Sequence, residues 1–372
     1  MKEKKYDLKL VIALSLIPFV GIFGTIWYIW NFGIVWQEPL LLVIFWIITG
    51  LGITIGYHRL FSHRSFKAHL FLEWILSISG AAALENSALK WCSDHRRHHK
   101  HLDTEKDPYS IKEGFFHAHI GWILENKPDP IEKVKDLEES PALNFQDKYY
   151  YPLFIIFGVL LPVSLGFIWG RPLGALFWGV FLRITLVHHF TYFINSLCHF
   201  VGKKPYDLKS TSGDAWYVAF FTFGEGFHNY HHKFQWDYRN GIRWFHFDPS
   251  KWSIWCLSKI GLVKELKKAN YRQIMNARFK NTWDQIHSYI DHIPDQMSVS
   301  YKEKLNNIKK KIQFLEESWN TLDKEMIQNS LNKKIDKHCN KVFQNQKKIL
   351  QREYLSHLKS LSLILLTLQN NH

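Results

Sequence analysis

Four short stretches of this chain hold histidines at spacings that suit a metal. They read His58-Arg-Leu-Phe-Ser-His63, His95-Arg-Arg-His98-His99, Asn195-Ser-Leu-Cys-His199 and His228-Asn-Tyr-His231-His232. Residues three to five apart on a helix project from roughly one side, so each stretch aims its imidazoles at one point. Imidazole suits iron, zinc, copper and nickel. Nine imidazoles exceed the roughly four to six ligands that one ion takes, and they suit two ions. Cys92, Cys198, Cys256 and Cys339 form no CxxC, which argues against zinc-ribbon, iron–sulfur and disulfide frameworks. The remaining histidines carry less. His188, His189, His246 and His287 are expected to be ordinary surface or interface residues.

The elements that must position these clusters are apolar. Four runs are long enough to cross a bilayer: residues 11–30, 39–57, 149–170 and 172–200. They pair as two hairpins, and the fourth is interrupted by Arg183, His188 and His189. The loop between the first two spans has no Lys or Arg, whereas the N-terminus, the stretch Arg64–Lys148 and everything after Lys203 are rich in both. The positive-inside rule then puts both termini and the histidine segments, 58–148 and 201–265, in the cytoplasm. Phe71–Leu89 is apolar but carries Glu73 and Glu85, and reads as a helix at the cytoplasmic interface. The expected fold is all-α: four transmembrane helices capped by a cytoplasmic helical domain.

These residues resemble the integral-membrane acyl-CoA desaturases of the stearoyl-CoA Δ9 type, over about residues 35–265. The HxxxxH box at His58–His63, the HxxHH boxes at His95–His99 and His228–His232, and the NSxxH segment Asn195–His199 all match. So do the flanks Asp103–Pro108, Gly114-Phe115-Phe116 and Gly224-Glu225-Gly226-Phe227. The resemblance implies two iron ions held by the nine histidines, with Asn195 reaching one of them through water. It also implies use of O2 to place a cis double bond, expected at Δ9, in a long-chain saturated acyl-CoA. The chemistry agrees, because no acid or base side chain can deprotonate an unactivated methylene and a redox metal with open positions is required. Asp94, Asp103, Glu105, Asp107 and Glu225 are the candidates to orient the imidazoles.

The same resemblance places the bend of an acyl tunnel at Asn86, Trp91 and Thr191. Glu85 stands where the family usually has Gln, and Tyr192 where it often has Trp. A CoA head group needs cations at the mouth, and Lys90, Arg96, Arg97, Lys100, Lys106, Lys112, Lys203 and Lys204 are available. They would equally serve anionic lipid head groups. There is no haem-binding HPGG and no dinucleotide fingerprint, so electrons are expected from a separate donor, cytochrome b5 or ferredoxin with its reductase. No nucleic-acid partner is expected. An acyl-lipid desaturase, a hydroxylase using the same centre and a non-catalytic metal carrier are the alternatives.

Beyond about residue 265 the composition changes. Lys264–Lys359 holds 20 basic and 11 acidic side chains, so most of the net charge of +14 lies there. Leu305, Ile308, Ile312, Leu315, Trp319, Leu322 and Met326 alternate in steps of three and four, a heptad seam. A weaker stripe runs from Leu331, Ile335, His338 and Val342 through Leu350 to Leu361–Leu368. Residues 266–372 are therefore read as a basic helical extension, a hairpin jointed at Asn329-Ser330. The mean hydropathy of −0.19 averages this tail with an apolar first half.

Overall fold

The computed structural model describes residues 5–125, 131, 134–292, 295–331 and 337–370. It is mostly helical, with one two-stranded antiparallel pair, β1 (Lys67–Ala68) and β2 (Val263–Lys264). Four helices are long and apolar enough to cross a membrane. They are α1 (Leu8–Phe32), α2 (Gln37–Ser62), α6 (Tyr150–Ile168) and α7 (Pro172–Phe200). Between and after them lie α3 (Leu70–Ala81), α4 (Ala88–His101), α5 (Pro141–Lys148), α8 (Trp216–Phe221), α9 (His228–Lys233) and α10 (Pro249–Lys259).

The two hairpins are tied together at the end away from the histidines. Arg171, between α6 and α7, pairs with Glu38 of α2 at 3.0 Å and donates to the Tyr28 hydroxyl of α1 at 2.8 Å. It also donates to the carbonyls of Phe32 and Gly33 at the turn after α1. The opposite end is fixed by the backbone. Asp7, which caps α1, donates its N–H to Leu124 O at 2.9 Å, beside the histidine end of α7.

The segment expected as one interfacial helix, 71–89, is two. α3 ends at Ala81 and α4 begins at Ala88, with Ser87 capping α4 by accepting from Lys90 N–H. The turn between them holds Leu84 and Asn86 in the left-handed region, at φ 62° and 86°. Asn86 and Ser87 compete with helix continuation through their own short polar side chains. The Asn86 side chain accepts from Ser87 N–H at 3.0 Å.

Two compact units result: residues 1–204 with 209–269, and 205–208 with 270–372. The second contains α11 (Tyr271–Ile290), α12 (Asp295–Leu331) and α13 (Lys337–Asn370). The expected helical hairpin, α12 with α13, is joined by α11, which packs Met275, Ile286 and Ile290 into the same core. From the expected seam, Leu305, Ile312, Leu315, Trp319 and Leu322 are buried. In α13 the core is Tyr354, Leu358, Leu361 and Leu368, while Val342 is exposed. The joint at Asn329-Ser330 falls within α12, and Ile335 lies outside the described residues.

Close approach of α2 and α3 depends on a missing side chain. A Cβ at Gly52 would come within 2.5 Å of Gly80 N and 2.7 Å of Ser79 C, which are backbone atoms that cannot rotate away. Gly52→Ala should destabilise the protein by about 1–3 kcal/mol through overpacking. A thermal melt in detergent measures it, and an unchanged midpoint would show that the two helices yield.

Candidate metal centre

The histidine side chains converge at one end of α2 and α7, where α4 and α9 meet them. In α2, residues 52–62 are wound with i→i+5 hydrogen bonds, and His63 N–H donates to His58 O at 3.1 Å. The expectation that residues five apart share one side fails on an ordinary α-helix, where 3.6 residues per turn would leave His58 and His63 roughly 140° apart. The wider winding nearly closes a turn in five residues, and such bulges recur at functional sites.

Two groups result. His58, His63, His95, His99 and His231 form one, and His98, His199, His228 and His232 the other. In the first, Nε2 of His231 lies 3.0 Å from Nε2 of both His58 and His99, and Nε2 of His63 lies 2.8 Å from that of His95. In the second, Nε2 of His228 lies 3.0 Å from Nε2 of both His199 and His232, with His98 3.4 Å from His232.

The outward nitrogens explain why these contacts suit a cation. His58 Nδ1 lies 2.9 Å from Glu225 Oε2, and His98 Nδ1 lies 2.8 Å from Asp107 Oδ1. His199 Nδ1 donates to Thr211 Oγ1 at 2.8 Å, whose own proton goes to Asp103 at 2.6 Å. His95 Nδ1 sits 3.2 Å from the Tyr109 hydroxyl. An imidazole that donates from Nδ1 turns a bare lone pair inward at Nε2. Lone pairs facing each other repel unless a positive ion lies between them. Separations near 3 Å are what bonds of about 2.1 Å to a shared metal produce. Burial, then the neighbouring histidines, lower the pKa of His95, His99, His231 and His232, which keeps them neutral as ligation requires. The residues present therefore fit two metal sites.

Behind His58 lies a buried charged network. Arg59 donates to Glu225 Oε1 at 2.9 Å and pairs with Asp248 at 3.0 Å, and Asn240 donates to Glu225 Oε2 at 2.6 Å. Burial alone would raise the Glu225 carboxyl, but His58 and Arg59 outweigh it and hold the pKa down to about 2.

Of the five acidic candidates, Asp107 and Glu225 reach histidines directly and Asp103 does so through Thr211. Asp94 instead pairs with Lys90 and Arg97, each at 2.7 Å, and Glu105 is exposed. Tyr109, Thr211 and Arg59 carry no sequence signal for this role. An uncharged partner leaves no spacing pattern, and Arg59 sits inside the box as one more cation.

A cavity of about 580 Å³ runs to this centre. His58 and His95 of the first group and His228 of the second line it, with Asn195 beside them. Glu85, Asn86, Trp91, Thr191 and Tyr192 all line it as well. Trp91 stacks on His95 with ring centroids 5.0 Å apart, and its indole N–H donates to Glu85 Oε2 at 3.3 Å. Thr191 donates to Glu85 Oε1 at 2.7 Å. Several expected head-group cations are occupied elsewhere. Arg96 binds Asp136 through two nitrogens, at 2.7 and 2.9 Å, and Lys112 donates to Asp103 O.

Two outcomes follow from this geometry. Asp107→Asn should cut metal affinity about 10–100-fold by loosening His98. Metal content after challenge with a graded chelator reads it, and wild-type retention would remove Asp107 from the supporting set. The second outcome concerns Glu85, whose carboxyl burial raises from 4.5 to about 7 against its two donors. A raised folded-state pKa gives stability that is whole below the unfolded value and falls as pH rises through the folded one. Glu85→Gln should therefore flatten the stability profile between about pH 5 and 8. Melts across that range check this, and an unchanged slope would place the titration on another group.

Comparison with known proteins follows the same residues. The fatty acid desaturase family model matches residues 34–252, more than half of the chain. A probable acyl-CoA desaturase of Schizosaccharomyces pombe is 40% identical over 262 residues, 69% of this chain and 53% of that protein. The sn-1 stearoyl-lipid 9-desaturase of Anabaena variabilis is 38% identical, over 62% of this chain and 84% of its own length. The stearoyl-CoA desaturase of Homo sapiens is 33% identical, over 75% of this chain and 79% of its own. The chain spans about half the length of the S. pombe relative. With its four apolar helices it is an integral membrane protein, and it belongs to the fatty acid desaturase family.

Proposed function

We propose that this chain is an acyl desaturase that inserts a cis double bond into a long saturated acyl chain presented as its CoA thioester. The observation that carries the reading is the cavity that brings His58, His95 and His228, from both histidine groups, to the wall beside Trp91 and Thr191. The balanced reaction converts –CH2–CH2– plus O2, two protons and two electrons into –CH=CH– plus two waters. The nine histidines, with Asn195 acting through water, would hold two iron ions, which would supply the redox chemistry for removing hydrogen from a methylene. The chain's own residues do the rest. Glu225, Asp107 and Thr211 fix which imidazole nitrogen faces the metal. The apolar wall, including Leu14, Ile17 and Ile53, keeps water from the reacting carbons.

We assign the chemistry to residues 1–265, with the histidine groups and both termini in the cytoplasm. That side supports delivery of electrons from cytochrome b5 or ferredoxin, commonly acidic donors that a basic face attracts. A second reading, acyl groups already esterified in lipid, is favoured by the Anabaena relative, whose name specifies a stearoyl-lipid.

The test is expression in a desaturase-deficient host, with fatty-acid methyl esters resolved by gas chromatography. New monounsaturated acids are expected, and His95→Ala or His231→Ala should abolish them while leaving the protein in the membrane. Hydroxy acids would establish a hydroxylase instead. Lipids identical with and without the wild-type chain, given a reductant, would end the enzyme reading. Membranes supplied with acyl-CoA or with phospholipid vesicles separate the two head groups.

A further inference from the structure

The turn of residues 82–87 forms part of the cavity wall, and its shape is strained. Leu84 and Asn86 are not glycines, yet both adopt positive φ, and both line the cavity with Glu85 between them. Such a conformation is strained, at Leu84 above all, and persists only where the surroundings over-determine it.

The surroundings here come largely from α7. Arg183 Nη1 donates to Ala82 O at 2.5 Å. His188 Nε2 lies 3.1 Å from Ala83 O and 3.0 Å from Leu84 O, so it must carry the proton and share it between two carbonyls. Thr191 then takes the Glu85 side chain. Four consecutive residues of the turn are thus held, in order, by three side chains of one helix. Arg183 also donates to Gly179 O and to Gly158 O of α6, so the turn is referred to two membrane helices at once. Among the described residues no carboxylate pairs with this fully buried guanidinium. An ionisable group inside a membrane span is costly and marks function by default. Here its donors are spent on positioning backbone. Neither Arg183 nor His188 lines the cavity.

We propose that Arg183 and His188 are positioning residues that set where along the acyl chain the double bond forms. They fix the carbonyls of residues 82–84, and through them the distance from the Leu84–Asn86 wall to the two histidine groups. The inference rests on the desaturase reading. His188, expected from sequence to be an ordinary interface histidine, is buried and central to it.

The experiment compares the wild-type chain with His188→Phe and His188→Gln in the desaturase-deficient host. Double-bond position and chain length are mapped by mass spectrometry and normalised to membrane-inserted protein. His188→Phe keeps a ring but loses the donor, whereas His188→Gln keeps an N–H. A displacement near 1 Å can alter a rate about 100-fold, so the ratio of positional isomers in His188→Phe should move by about tenfold. His188→Gln should restore the wild-type ratio. A merely structural role would lower total product and leave the ratio untouched, and that result overturns the proposal. Should His188→Phe fail to accumulate, Arg183→Met takes its place: a shifted isomer ratio supports the proposal and an unshifted one overturns it. A wild-type chain that makes no unsaturated product overturns the desaturase reading itself, and this inference with it.

Discussion

Nine imidazole nitrogens gathered into two groups, with neighbouring rings as close as 2.8–3.4 Å, are the condition that the rest of the histidine-bearing unit serves. Neutral lone pairs held that close repel, so the arrangement needs rings gripped from behind and a cation welcome in front. Glu225 grips His58, Asp107 grips His98, Thr211 grips His199 and Tyr109 lies behind His95. Each grip draws in another layer. Glu225 needs Arg59 to remain ionised while buried, and Arg59 in turn needs Asp248. Asp248 caps α10 and accepts from Asn240 and Gly241 N–H, so the loop between α9 and α10 is committed to their geometry.

This explains what is legible in the sequence and what is not. Charged and metal-binding residues announce themselves by type and spacing, so the boxes, Asp107 and Glu225 can be singled out. Thr211 and Tyr109 cannot, because hydroxyl residues are common and their partners are distant in sequence. The HxxxxH spacing reads as helical, but an ordinary α-helix would splay His58 and His63. The five-residue turn is a backbone property, which no side-chain pattern displays. The four apolar runs place the spans within a few residues, since bilayer thickness leaves little choice. The break at 82–87 is hidden by the apolar residues on either side of it. In the tail, periodicity identifies the α12 core face but misses α11 as its partner, because a seam specifies a buried stripe without naming what covers it.

The four membrane helices divide by what they face. α1 and α6 have only 11% and 22% of their most apolar window buried, whereas α2 and α7 have 50%. The inner pair carries His58, His63, Asn195 and His199, which follows from the cost of polar groups against lipid. The mean hydropathy of α7, 1.4 against 2.2 for each of the others, is lowered by polar residues that point inward. In the sequence those residues look like interruptions of a span. They are better understood as its working face: Arg183, His188 and Thr191 engage the 82–87 turn, and Asn195 and His199 lie beyond them toward the histidine groups. One helix therefore holds both the cavity wall and part of the metal centre on a shared backbone. A displacement of that helix would move the two together, whereas a change in one of its side chains moves the wall alone. On the proposed reading, regiochemistry is separable from metal binding for that reason, although both are written on the same run of residues.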